Sequence, residues 1–111
     1  MNRIKAAVLG STGLVGQHFV RMLAGHPDFQ IVHLAGSDRS AGTPYAEAVD
    51  WTATGDIPFE SAGLIVGPSS LEAISASGAR VVFSALPPEA AAPLETALRK
   101  KGLFVFTNAS A

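Results

Sequence analysis

The residues Ile4 to Leu9 form a nearly continuous apolar run that ends on Gly10-Ser11-Thr12-Gly13-Leu14-Val15-Gly16. An apolar-periodic stretch follows at once. A buried strand, a turn with glycine at every third position and a helix, in that order, leave few folds open. N–H groups in the first turn of a helix have no intrahelical partner, and the aligned peptide dipoles add positive potential there. Such a turn suits a pyrophosphate. Gly10 is expected to let the chain turn tightly, Gly13 to let the backbone approach the phosphates, and Gly16 to let the helix pack close to the sheet. Glycines also end strands for structural reasons, so a turn that binds nothing is the plain alternative.

The periodicity predicts helix over about 13–25, with Val15, Phe19, Met22 and Leu23 inward and Gln17, Arg21 and Ala24 opposite. Strands are predicted at about 4–9, 30–35, 63–66, 80–85 and 103–106, and further helices at about 70–77 and 89–101. Val81-Val82-Phe83 and Leu103-Phe104-Val105-Phe106 are continuous apolar runs, as expected of strands buried on both faces. Alternating strands and helices give an α/β fold, a doubly wound parallel sheet of order 3-2-1-4-5. Gly25, Gly78 and Gly102 mark helix ends, and Ser69 or Ser70 is placed to cap the helix before Leu71. Pro93 implies that its helix either starts near Ala91 or Ala92 or kinks.

Residues 37–62 break the pattern. They are rich in Gly, Pro, Ser and Thr and carry the only tryptophan, Trp51, and the only tyrosine, Tyr45. A segment of that length is either a functional flap or a mobile loop, with Trp51 alternatively covering a sheet edge.

With 111 residues, 48% of them hydrophobic, the chain reads as one domain with a real core. A net charge of −1 and no basic run longer than Arg99-Lys100-Lys101 exclude a nucleic-acid footprint. That triplet precedes Gly102, where cations complement a helix C-terminus. The chain has no cysteine, hence no disulfide, thiolate metal site or thiol nucleophile. No stretch approaches the roughly 20 apolar residues that span a bilayer. Met1 to Lys5 lead straight into a strand, so no signal peptide is expected and the cytoplasm is the default location.

A dinucleotide site that takes NAD places a carboxylate at the end of its second strand. Here that edge reads Ala35-Gly36-Ser37-Asp38-Arg39-Ser40. Gly36 and Ser37 occupy the carboxylate position, and Arg39 flanked by hydroxyls complements a 2′-phosphate, which favours NADP. Asp38 is discordant and is expected to face solvent or to pair with Arg39. The alternative is an ordinary solvated arginine in a turn. Ligands on open parallel sheets bind beyond the carboxyl ends of the strands. Ser84 and Asn108 fall on that rim, within reach of ribose or a nicotinamide amide, although Ser and Asn are also common turn residues. His18, His26 and His33 have no metal spacing, and His33 lies within the second strand as a structural residue. Leu9-Gly10-Ser11-Thr12-Gly13 lacks the G-x-S-x-G spacing of a serine nucleophile. Tyr45 has Val49, not lysine, four residues on, which discards a short-chain-type proton relay.

Val8 to Gln17, His26-Pro27, Ser37 to Gly42, Ser84-Ala85-Leu86-Pro87 and Asn108 to Ala111 occur in one order along the whole chain. Together they resemble the amino-terminal part of aspartate-semialdehyde dehydrogenases of the archaeal and fungal type. N-acetyl-glutamyl-phosphate reductases and malonyl-CoA reductases share much of the pattern. The resemblance implies that Ser11, Thr12, Gly13, Leu14 and Val15, following Gly10, bind the NADP pyrophosphate. It implies that Ser37, Arg39 and Ser40 surround the 2′-phosphate, that Ser84, Leu86 and Pro87 line the ribose–nicotinamide end, and that Asn108 faces the catalytic cleft. The implied reaction is reductive dephosphorylation of aspartyl phosphate to the semialdehyde, on the way to lysine, threonine and methionine. The family uses a cysteine thiolate, a histidine and substrate-binding arginines that lie beyond Ala111. Residues 1–111 are therefore expected to be a cofactor domain without its substrate and dimerisation domain. Such a domain should be inactive alone and prone to self-association through bared apolar surface. A free-standing NADP sensor or interaction module is the alternative.

Overall fold

The computed structural model describes residues 3–107. Five parallel strands form one sheet in the order β3-β2-β1-β4-β5. The strands are β1 (Ile4–Leu9), β2 (Phe29–Gly36), β3 (Gly67–Pro68), β4 (Val81–Ser84) and β5 (Phe104–Thr107). The helices are α1 (Leu14–Leu23), α2 (Tyr45–Ala48), α3 (Phe59–Ala62), α4 (Leu71–Ala76) and α5 (Pro88–Lys100). The order is the one that the sequence predicts.

The central strand β1 divides its side chains between two cores. Ala7 and Leu9 pack with Ile74 of α4, Val82 of β4 and Leu98 of α5. Val8 packs with Val20 and Leu23 of α1, Leu34 of β2 and Tyr45 of α2. Each face of the sheet is thus covered by helices, which is why β1 has little use for polar residues. Parallel pairing of Leu9 with Ala35 on one side and with Ser84 on the other aligns the carboxyl ends of β1, β2 and β4. That alignment builds the rim on which the glycine turn sits.

Several expectations need correction. Gln17 lies inward with Gly16, Val20 and Leu23, whereas Met22 is 58% exposed and Val15 37%. The apolar run at 63–66 is not the third strand. Ile65 makes an isolated antiparallel bridge to Pro44, and the paired strand is the next two residues, Gly67 and Pro68. Val66 is buried through that bridge, its N–H donating to the Thr43 carbonyl, so its apolarity reports core packing and not sheet pairing. β5 is not buried on both faces: Phe104 and Phe106 are 67% and 56% exposed while Val105 packs inward. Val105 faces the side covered by Leu98 of α5, whereas on the other face Phe106 has only its stack on Phe83 among the described ring contacts. The last helix begins at Pro88, not near Ala91, and runs through Pro93. The carbonyl deprived of a partner there belongs to Glu89, which is exposed, so the lost bond carries no burial penalty. Ser70, not Ser69, caps α4, its hydroxyl accepting from the Ala73 N–H at 3.2 Å. His33 sits against the sheet edge, with Nε2 3.2 Å from the Pro68 carbonyl oxygen.

Candidate cofactor site

The glycine turn is held from inside. Gly10 has φ +68°, and a Cβ there would stand 3.1 Å from the Ala85 carbonyl oxygen. Ser11 is fully buried; both its N–H (3.0 Å) and its hydroxyl (2.9 Å) donate to the Ala35 carbonyl. Ser11 thereby ties the turn to the end of β2, and its polar groups point away from solvent. The Gly13 N–H donates to the Gly10 carbonyl at 3.1 Å and closes the loop.

What remains open is the outer side. Among the described residues, the N–H groups of Thr12, Leu14 and Val15 have no protein partner. Gly13 is the N-cap of α1 with no side-chain cap, and no acidic residue lies in the first turn. The positive end of the helix is therefore left uncompensated by the protein. Gly13 itself has φ −79°, which any residue adopts. A Cβ there would meet only the Gly10 carbonyl oxygen at 3.6 Å, an ordinary contact. Neither backbone conformation nor internal packing requires glycine at this position, so the space it keeps free is space outside the protein. Gly16 is the opposite case: its Cβ would fall 2.0 Å from the Gly10 carbonyl oxygen. Close packing at Gly16 is against the turn itself and not, as expected, against the sheet.

Beyond β2, Ser37 to Ala41 make a helical turn in which the Ser40 and Ala41 N–H groups donate to the Ser37 carbonyl. Ser37, Arg39 and Ser40 line a cavity of about 410 Å³ with Thr43, Glu47 and Ala48 of the following segment. The three residues singled out from the sequence thus meet in one hollow. Gly36 is crowded, since a Cβ there would lie 2.9 Å from a Val66 methyl and 3.1 Å from the Ser40 Cβ, and a larger residue would need those side chains to shift. Asp38 is exposed, and among the described residues it makes no ion pair with Arg39.

At the end of β4, Ser84 is fully buried and its hydroxyl has no partner among the described residues. Leu86 is half-buried and Pro87, the N-cap of α5, is exposed, both on the same rim as Gly10. Asn108 lies outside the described residues.

Two residues that the sequence did not assign to the site, Tyr45 after β2 and Gln17 on α1, hold the turn. Tyr45 is fully buried and its hydroxyl donates to the Ser11 carbonyl at 2.6 Å. Burial raises its phenol well above the ordinary tyrosine value, so it stays protonated and donating. Gln17 spreads one carboxamide over both sides of a seam. Its Nε2 donates to the carbonyls of Thr12 (3.0 Å) and Asp50 (3.1 Å), and its Oε1 accepts from the N–H groups of Thr52 (2.8 Å) and Ala53 (3.2 Å). The flap is consequently latched to the turn. A buried polar residue on a helix face that otherwise carries apolar side chains was the available signal, obscured because Gln17 sits where a solvent-facing residue is equally common.

The family described as "Semialdehyde dehydrogenase, NAD binding domain" matches residues 5–111. The chain belongs to this family. It is 39% identical over 109 residues to an aspartate-semialdehyde dehydrogenase of Archaeoglobus fulgidus, a match covering 98% of the chain and 31% of that protein. It is 43% identical over 105 residues to a malonyl-CoA reductase (NADP) of Metallosphaera sedula, covering 95% and 29% respectively. The crystal structure of aspartate-semialdehyde dehydrogenase with NADP from Candida albicans superposes with a TM-score of 0.89 at 38% identity, over 98% of the chain and 30% of that one. The chain thus spans about a third of the length of its semialdehyde dehydrogenase relatives. Among the described residues, no helix is long and apolar enough to cross a membrane.

Proposed function

We propose that this semialdehyde dehydrogenase domain holds NADP along the carboxyl rim of its sheet, as the cofactor half of a phosphorylating aspartate-semialdehyde dehydrogenase. The observation that carries this reading is the outward set of unpaired N–H groups at Thr12, Leu14 and Val15 around an unobstructed Gly13. Those groups suit the diphosphate. The cavity of Ser37, Arg39 and Ser40 suits a 2′-phosphate, and the crowding of Gly36 by Val66 and Ser40 disfavours the carboxylate that an NAD site uses. Leu86 and Pro87 flank the nicotinamide end, with Ser84 and Asn108 assigned there by resemblance. When bound, NADP supplies hydride transfer.

The residues of this chain position and select; they do not attack. There is no cysteine to form a thioacyl enzyme on aspartyl phosphate, so residues 1–111 alone should bind cofactor without turnover. A malonyl-CoA reductase is the second reading, supported by the 43% identity to such an enzyme. Exposed Phe104 and Phe106 on the edge strand β5 support self-association of the isolated domain. A cytoplasmic location belongs to the same proposal. Titration of the purified chain with NADPH and NADH, followed by Trp51 fluorescence, tests the cofactor assignment. Preferential binding of NADPH supports it, and equal affinities or no binding count against it. Semialdehyde-dependent formation of NADPH by the chain alone would overturn the absence of turnover.

A further inference from the structure

We propose that Tyr45 is a positioning residue for the phosphate-binding turn, one that aims the Thr12 N–H outward without touching a ligand itself. The inference rests on the cofactor reading above and concerns how the site is kept in shape.

The orientation of the peptide between Ser11 and Thr12 decides whether the Thr12 N–H is offered to a ligand, because Ser11 itself is buried and tied to Ala35. The peptide between Ser11 and Thr12 is trans, as are all those described. In a trans peptide the carbonyl and the following N–H point in opposite directions. The Tyr45 hydroxyl holds the Ser11 carbonyl inward at 2.6 Å, so the Thr12 N–H must face away from Tyr45, toward the open side. Rotation of that peptide would break the bond, strand a buried phenol and turn the Thr12 N–H inward. The next peptide is fixed in the same manner. The Thr12 carbonyl accepts from Gln17 Nε2 at 3.0 Å and the Gly13 N–H donates to Gly10 at 3.1 Å. Two side chains, one from α2 and one from α1, thus set two consecutive peptides. The tyrosine is rigidly placed, being fully buried and edge-on to Trp51 with ring centroids 6.5 Å apart.

The test is Tyr45→Phe, which keeps the ring and removes only the hydroxyl, read by NADPH titration and by the amide signals of residues 11–16 in the full chain. In the unaltered protein NADPH should shift the Thr12, Leu14 and Val15 amides. In Tyr45→Phe the Thr12 response should collapse while Leu14 and Val15 still respond, and affinity should fall about tenfold. Gln17→Met, which also preserves volume, should weaken NADPH comparably and disturb the Gly13 amide, and it serves as the second variant if the first does not fold. An undiminished Thr12 response with unchanged affinity in Tyr45→Phe overturns the positioning role and leaves the site assignment standing. Failure of NADPH to move any of these amides in the unaltered protein overturns the site assignment itself, and the positioning role with it.

Discussion

A Cβ placed on Gly16 would stand 2.0 Å from the carbonyl oxygen of Gly10. The helix and the turn that precedes it are therefore in direct backbone contact, and neither can yield without disturbing β1 or α1. Gly16→Ala should destabilise the domain by about 2–3 kcal/mol, since the obstacle is main chain and not a movable side chain. Gly13→Ala has ordinary contacts and unremarkable φ, so its stability should change by less than about 1 kcal/mol while NADPH binding is lost. Denaturant unfolding of both variants beside NADPH titration separates the two roles.

Tyr45 should make stability depend on alkaline pH. Its folded-state value is raised by burial, so the stabilisation is fully present below the ordinary tyrosine value of about 10 and disappears as pH rises through the higher folded value. Above about pH 10 the unfolded chain releases the proton and the folded one retains it, which favours unfolding. Tyr45→Phe should lose about 1–3 kcal/mol at neutral pH, because the Ser11 carbonyl is left buried without that donor. It should also lose the part of the alkaline slope that the unaltered protein shows. The chain has a single tyrosine, so ultraviolet titration reports it alone.

The fold was largely legible in the sequence because β1, β2, β4 and α1 announce themselves through apolar period and glycine punctuation, and right-handed crossovers then allow few orders. The third strand was not, since two paired residues, Gly67 and Pro68, carry no period at all. Gln17 was misplaced for a physical reason. Helical patterning sorts residues by polarity, whereas a buried carboxamide is tolerated where all its hydrogen bonds are met, and that depends on Asp50 to Ala53 arriving from a distant part of the chain. Arg39 with Ser37 and Ser40 was readable because all three fall in one short turn. Tyr45 was not, because its partner Ser11 is 34 residues away.

Gln17→Leu should release the flap. Five hydrogen bonds lose their partner at once, and a cost of about 2–4 kcal/mol is expected from the polar groups left behind. Amide exchange at Thr52 and Ala53 should accelerate well before global unfolding, and proteolysis should move to residues 50–58. Unchanged exchange at those two amides would contradict the latch.

Arg39→Ala should reduce NADPH affinity by about 10- to 100-fold and leave NADH affinity nearly unchanged, as expected from the loss of a charge-assisted contact to a phosphate. Loss of both affinities in parallel would place Arg39 outside the 2′-phosphate hollow.

The edge strand β5, with Phe104 and Phe106 outward, should make the isolated domain associate. Sedimentation at rising concentration should show a growing dimer, reduced by Phe104→Lys. A monomer at every concentration would contradict self-association.

The most direct measurement is a crystal structure of the chain grown with NADP. Diphosphate oxygens should lie within about 2.7–3.2 Å of the Thr12 and Leu14 or Val15 nitrogens, with the 2′-phosphate against Arg39. Dinucleotide density at any other place on the protein, with those nitrogens unoccupied or turned inward, would contradict the cofactor site.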